Sequence, residues 1–135
     1  FKIKEGDIVA FKIMHGQYGF ARILFDIFTQ RRKGDIVSTN LYWFHPRSLI
    51  VAPYAYYADT LNIDIDKLIN KKTLPTLCIF DLEVYRGEMP IVGHKPLSLK
   101  EKLIPFPDKP ETSITIPYTK TDIEKFISTN GAENI

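Results

Sequence analysis

Two long runs of apolar and aromatic residues open the chain, with a short segment between them that can reverse its direction. Residues 8–13 read IVAFKI and residues 17–28 read QYGFARILFDIF. Runs rich in β-branched and aromatic residues are typical of strands that pack on at least one face. Between the runs, His15 and Gly16 offer a two-residue turn, since Gly takes a positive φ at little cost. The sequence therefore predicts an antiparallel hairpin.

A two-residue loop at these positions would also set the register of the hairpin. Partner residues would have numbers summing to about 31, with Phe11 opposite Phe20 and Ala10 opposite Ala21. One face of the hairpin would then be aromatic, and the other would carry small residues at its middle. A slip of one residue would exchange the two faces, so this prediction depends on the turn.

Later segments add strands, turns and two helices. Residues 30–35 read as a charged turn, and further strands are predicted over residues 36–44, 48–52 (ending at Pro53), 76–85 and 90–93. In the third of these, Cys78, Phe80, Leu82 and Val84 would share the buried face. Helical spacing of apolar residues predicts a short helix near 60–71 and a C-terminal helix near 121–130, the latter opened by a Thr121–Glu124 capping box and ended by Gly131. Residues 103–117 are proline-rich and predict an extended arm.

These elements predict an α+β domain that is mostly β, with a strongly bent antiparallel sheet or a partly open small barrel. The 135 residues are enough for one domain and too few for two independent cores, so residues 1–135 are expected to form a single domain. No apolar run approaches the roughly 20 residues that span a bilayer. The single cysteine, Cys78, excludes an internal disulfide and favours a reducing cytoplasm, although whether residues precede Phe1 stays open.

No combination of residues indicates catalysis or metal binding. Cys78 lies in phase with apolar neighbours, so it is expected to be a buried, inert thiol, although His15, His45 and His94 are present in the sequence. No two of these histidines are close enough in sequence to suggest a zinc site. Neither a metal nor a cofactor is therefore expected, and the chain is not expected to be an enzyme.

A basic segment raises the alternative of nucleic-acid binding. Arg31, Arg32 and Lys33 could contact phosphates, and the aromatic residues 42–44 could stack on bases. The formal charge of only +2 argues against this alternative, because proteins that bind the phosphate backbone of a nucleic acid are usually more basic. A solvated loop and a buried strand explain the same residues.

A second polar segment could bind a protein. Tyrosine beside carboxylate is useful interface chemistry, because the ring supplies contact area while the acids attract a cationic partner. The candidate partner-binding residues are Tyr54, Tyr56, Tyr57, Asp59, Asp64, Asp66 and Glu88. The competing interpretation is that the acids cap or solvate a helix and the tyrosines complete the core.

Three stretches together resemble a known family. Residues 4–11 read KEGDIVAF, residues 16–24 read GQYGFARIL, and residues 87–97 read GEMPIVGHKPL. They resemble the immunity protein 26 family of bacterial polymorphic toxin systems. The resemblance implies a small, mostly β protein that is encoded beside a toxin and binds the toxin's C-terminal domain, often a nuclease, inside the cell that makes it. It implies no catalytic residues.

The opening Gly-Asp-Ile-Val at residues 6–9 is also similar to the start of the small barrel endoribonucleases of toxin–antitoxin systems. Those enzymes usually continue with an Arg-Pro pair after the first hairpin, whereas this chain reads GFARIL at residues 19–24. The sequence therefore favours an immunity protein that occludes its toxin stoichiometrically. An endoribonuclease and a nucleic-acid-binding barrel stay open as alternatives.

Overall fold

The computed structural model describes residues 2–34, 44–109 and 111–130. The strands are β1 (Asp7–Lys12), β2 (Tyr18–Asp26), β3 (Ser48–Ala58), β4 (Leu77–Phe80), β5 (Ile91–His94) and β6 (Thr112–Ser113). The α-helices are α1 (Ile27–Lys33), α2 (Ile65–Leu68), α3 (Leu82–Tyr85), α4 (Leu99–Lys102) and α5 (Lys120–Asn130). One turn of 3₁₀-helix, Met14–Gly16, joins β1 to β2.

All six strands lie in one sheet with the order β5-β1-β2-β3-β4-β6. Every neighbouring pair is antiparallel except β4 and β6, which are parallel. Within the described residues the sheet is open, with β5 and β6 at its edges. The predicted class, α+β and mostly β, is confirmed, although β6 makes the sheet mixed.

The predicted register of the first hairpin is wrong by one residue. Phe11 pairs with Gly19 and Ala10 with Phe20, so partner numbers sum to 30. The reversal involves the whole 3₁₀ turn, with His15 at φ 64° and Gly16 at φ 74°, and the Ile13 amide donates to the Gln17 carbonyl. The faces are exchanged accordingly. The Phe11 ring covers Gly19, where a Cβ would overlap it.

The sheet bends at irregular pairings along its central strands. The register between β2 and β3 shifts between Gly19 and Ala21 and again between Ile23 and Phe25. Such bulges bend a strand and increase its twist. The sequence predicted that Pro53 would end this strand, and that prediction is wrong. Pro53 pairs with Ala21 at the first shift, and a bulge tolerates a residue without an amide hydrogen. The strand continues to Ala58 and includes all three candidate tyrosines.

The central strands are covered on both faces, which is why they are apolar at successive positions. One core is formed by Ile3, Val9, Phe11, Ala21, Ile23, Leu49, Val51, Ile79, Val84, Met89 and Ile116. The opposite core is formed by Ile8, Ala10, Phe20, Tyr54 and Leu68, the last of these from α2. The second core holds the residues that support the site described below.

The prediction of extended chain to residue 28 and a charged turn at 30–35 is wrong, because α1 follows β2 directly. Asp26 caps this helix by accepting hydrogen bonds from the Thr29 amide at 3.3 Å and the Thr29 hydroxyl at 2.9 Å. Gly34 ends it in the left-handed conformation. Basic residues in the last turn favour the helix because they face its negative end. The predicted strand over residues 36–44 lies almost entirely outside the described residues.

The predicted strand over residues 76–85 is half right. Cys78 is fully buried in β4, but the chain turns at Asp81 into α3, so Leu82 is 48% exposed rather than aligned with Cys78. The Asp81 carbonyl accepts hydrogen bonds from the amides of Val84 and Tyr85, which form a short helical turn. The alternating apolar pattern over residues 76–85 therefore spans both a strand and a short helix.

The predicted helices are present with different bounds. The helix expected near 60–71 is the single turn α2, capped by Asp64. The C-terminal helix is confirmed, but its capping box joins Thr119 and Asp122, at 2.8 and 3.2 Å, instead of Thr121 and Glu124. Ile123 is its fully buried residue. Gly131 lies outside the described residues, and α4 was not predicted.

Candidate functional site

A cavity of about 600 Å³ has its floor on the central strands of the sheet. Arg22 of β2 and Tyr54 of β3 form this floor, and each is only 1% exposed. The walls come from residues 69–73, from α4 with the following Ile104, and from Phe126 of α5. We call this space the central cavity.

The guanidinium of Arg22 is held by a buried ion pair and by backbone oxygens. Its Nε donates to Glu101 Oε2 at 2.8 Å and its Nη2 donates to Glu101 Oε1 at 3.1 Å, a bidentate arrangement. Its Nη1 donates to the Gly6 carbonyl at 2.8 Å. A charge this deeply buried requires such partners, so Arg22 joins β2 to α4 and to the turn before β1.

Glu101 reaches Arg22 because a capping box fixes the helix that carries it. The Ser98 hydroxyl accepts from the Glu101 amide at 3.2 Å, and Glu101 Oε1 accepts from the Ser98 amide at 2.9 Å. Burial raises the pKa of the Glu101 carboxyl, but the hydrogen bonds from Arg22 and Ser98 outweigh burial and leave the pKa below its usual value. Glu101 is therefore ionised at neutral pH and neutralises Arg22.

Tyr54 brings a polar group to the cavity floor that the rest of the described chain does not satisfy. Its hydroxyl is buried and has no hydrogen-bond partner among the described residues. Burial raises the pKa of this phenol. Arg22 lowers the pKa and Glu101 raises it, each by less than burial does. The group is therefore a neutral hydroxyl that retains its proton for donation. An unsatisfied buried donor costs free energy, so it is unusual at the centre of a sheet.

Most of the charged residues that line the central cavity are basic. Lys71, Lys72 and Lys100 line it together with Arg22, whereas Glu101 is its one carboxylate among the described lining residues. Lys72 and Lys100 are exposed, and the Lys71 Nζ lies 5.4 Å from the centre of the Tyr56 ring. The charged groups of the cavity are therefore mostly cationic, with Arg22 paired to Glu101.

The structure separates the three candidate tyrosines. Tyr54 is buried and lines the central cavity instead of the outer surface, so its role in partner binding stays a prediction. Tyr56 and Tyr57 are half-buried and point to opposite faces of β3, because successive strand residues alternate. Tyr56 stacks on Phe20 with the ring centres 6.1 Å apart, whereas Tyr57 faces Lys120 of α5.

All four candidate acids are exposed, and most of them already have a local contact. Asp59 accepts from the Gln17 side chain at 2.9 Å, and Asp64 accepts from the Lys67 amide as the cap of α2. Asp66 pairs with Lys95 at 2.8 Å. Ile63 and Ile65, the neighbours of Asp64, pack against the same core as Tyr56. Glu88 lies in the turn between α3 and β5.

The groups considered for chemistry lie apart. Burial raises the pKa of the Cys78 thiol to about 11, so it is protonated and unreactive near neutral pH. His94 Nδ1 lies 2.7 Å from Asp7 Oδ1 and links β5 to β1, whereas His45 Nδ1 accepts from the Arg47 amide. The described residues include no cluster of side chains suited to a metal ion.

The basic segment considered for nucleic-acid binding forms the last turn of α1. Arg32 lies over the Phe28 ring at 5.6 Å, and the nearby Phe44 is 8% exposed and packs in a core. Tyr42 and Trp43 lie outside the described residues. Phe44, the one member of this aromatic set that the structure describes, is therefore buried.

Sequence reasoning did not single out Arg22, Glu101 or the three lysines of the cavity. Two signals were available. Arg22 interrupts an apolar strand, where a charge requires a buried partner. The SLKE sequence at residues 98–101 matches a capping box, which would have predicted α4.

Across the described residues, the structure is a mostly β domain with an open mixed sheet and a cavity of mixed polar and apolar lining against its central strands. A family model described as immunity protein 26 matches residues 4–112, which is most of the chain. The chain belongs to the immunity protein 26 family, as its sequence motifs predicted. A search of curated proteins and a search of solved structures found no match.

Family membership implies a toxin partner and points to a non-enzymatic role. The matched region includes β1 to β5, the central cavity's floor and α4, and it reaches the first residue of β6. None of the described helices combines the length and the apolarity that crossing a membrane requires.

Proposed function

We propose that this protein is a cytoplasmic immunity protein that binds the C-terminal domain of a cognate toxin and blocks it stoichiometrically. The family match over residues 4–112 carries this proposal. The mechanism is occlusion: the immunity protein covers the toxin's active site or substrate groove and performs no chemistry itself.

A direct test co-expresses the chain with the toxin domain encoded beside it. We expect the two proteins to co-purify at a one-to-one ratio and the cells to survive, whereas the toxin alone arrests growth. The chain expressed alone should leave growth and cellular RNA unchanged, which separates this proposal from an endoribonuclease. Absence of both binding and protection would refute the proposal.

The toxin contacts that we propose are made by the accessible members of the predicted set, which lie on both faces of β3 and outside it. These are Tyr56, Tyr57, Asp59, Asp64, Asp66 and Glu88. The half-buried tyrosines supply contact area, and the exposed carboxylates attract a basic region of the toxin and raise the association rate. Tyr54 is left out of this set because it lines the central cavity and not the outer surface.

Charge reversal tests this surface. Asp59→Lys combined with Asp66→Lys should slow association with the toxin by about tenfold at low salt, with a smaller difference at high salt, because exposed charges are screened. The matched control is Glu124→Lys, which reverses an exposed acid of α5 outside the proposed surface. Equal association rates for the double variant and the control would show that the toxin binds elsewhere.

A further inference from the structure

The central cavity has properties that its structural role does not explain. Arg22 and Glu101 satisfy each other, but the Tyr54 hydroxyl beside them has no partner among the described residues. The cavity's volume of about 600 Å³ lies within the range of sites that bind drug-sized molecules or short peptide segments. A buried donor left unsatisfied beside several lysines is an unusual lining for a cavity that serves packing alone.

We propose that the central cavity receives an acidic segment of the protein partner, with one carboxylate accepting a hydrogen bond from the Tyr54 hydroxyl. This inference rests on the proposed function, since the partner is the toxin. It assigns to the toxin an acidic loop that enters this cavity, in addition to the basic region expected at the acidic surface.

The charges of the cavity select an anion. Lys71, Lys72 and Lys100 line it, and Arg22 adds positive charge that Glu101 offsets. Tyr54 keeps its proton because its environment disfavours the phenolate, so it is a donor for an incoming oxygen.

The cavity also has apolar walls that suit a peptide segment rather than an isolated ion. Ile69, Ile104 and Phe126 line it beside the lysines. The methylene groups of an acidic side chain can pack on these residues while its carboxylate reaches the floor. A segment held by the toxin fold is also pre-oriented, so it loses less entropy on binding than a free small acid.

The decisive variant is Tyr54→Phe, which removes the hydroxyl and keeps the ring. Because the hydroxyl has no partner among the residues that the structure describes, the variant should fold with unchanged or higher stability. Its affinity for the toxin domain should fall about 10- to 100-fold, the range of a hydrogen bond to a charged group. The matched control is Tyr118→Phe, since Tyr118 donates to the Pro75 carbonyl outside the cavity.

The lysines provide a second, independent variant. Lys72→Gln with Lys100→Gln should weaken toxin binding several-fold and reduce its salt dependence, because two cations of the cavity are removed. Lys125→Gln removes an exposed cation of α5 that does not line the cavity and serves as the control. If the wild type binds the toxin and both cavity variants bind it equally well, the proposal is wrong.

A measurement without the toxin separates this proposal from the proposed function. An acetylated tri-glutamate peptide, with tri-glutamine as the control, is titrated into the free protein while amide NMR shifts are recorded. Shifts at residues 69–73 and 98–104 that Tyr54→Phe abolishes would support the cavity even if the toxin assignment failed. If the wild type binds no toxin and the peptide produces no such shifts, both proposals fall. If the peptide binds but the cavity variants leave toxin affinity unchanged, the toxin is not the occupant.

Discussion

Removal of the charge on Glu101 should destabilise the fold strongly, although Glu101 lies on a helix of only four residues. Glu101→Gln keeps the shape of the side chain but leaves the guanidinium of Arg22, whose side chain is 1% exposed, without its carboxylate. Breaking one side of a buried ion pair costs about 3–5 kcal/mol. Since the Glu101 side chain is 19% exposed, we expect the lower end, about 3 kcal/mol. That is a large share of the roughly 5–15 kcal/mol of a typical domain.

Urea unfolding followed by circular dichroism measures this loss, and pH provides a second check. Because the folded-state pKa of Glu101 lies below its ordinary value of 4.5, its stabilisation is complete above pH 4.5 and is lost as the pH falls through the folded value. The difference in the free energy of unfolding between the wild type and Glu101→Gln should therefore narrow as the pH falls below 4.5. Glu124→Gln, an exposed acid, is the control. A loss under about 0.5 kcal/mol, which is usual for surface substitutions, would refute the reasoning, as would a gap that is unchanged at pH 3.

Two further substitutions test the local structure. Gly19→Ala should cost about 1–3 kcal/mol in urea unfolding because the new Cβ overlaps the Phe11 ring. With Phe11→Leu added, the double variant should lose less than the sum of the single losses, whereas additive losses would show that the two residues do not meet. Thr119→Ala should cost about 1 kcal/mol by removing the cap of α5. Thr121→Ala should cost less, and the reverse order would place the cap at Thr121.

The strands were largely predictable because packing leaves a regular pattern in their residues. The hairpin register was not, since it depends on the loop conformation. Gly16 indicates a positive φ because glycine adopts it readily. The neighbouring His15 also has a positive φ, which its residue type does not predict. The extra loop residues moved every partner by one position and exchanged the faces.

The candidate site depended on information that no single stretch of sequence holds. Arg22 and Glu101 are 79 residues apart, so only the folded chain shows that they pair. The tyrosines differ for a similar reason. Tyr54 and Tyr56 share one face of β3, yet α2 and the segment that follows it bury the first more deeply than the second. Their residue type was predicted to matter, but its accessibility depends on distant segments.

The order of strands in the sheet also bears on synthesis of the protein at the ribosome. β1 appears first, yet one of its neighbours, β5, ends only at His94. During translation the hairpin of β1 and β2 must therefore wait with one edge unpaired until that strand emerges. The parallel partner of β4 appears later still. The sheet is thus completed from the centre outward, with both edge strands added late.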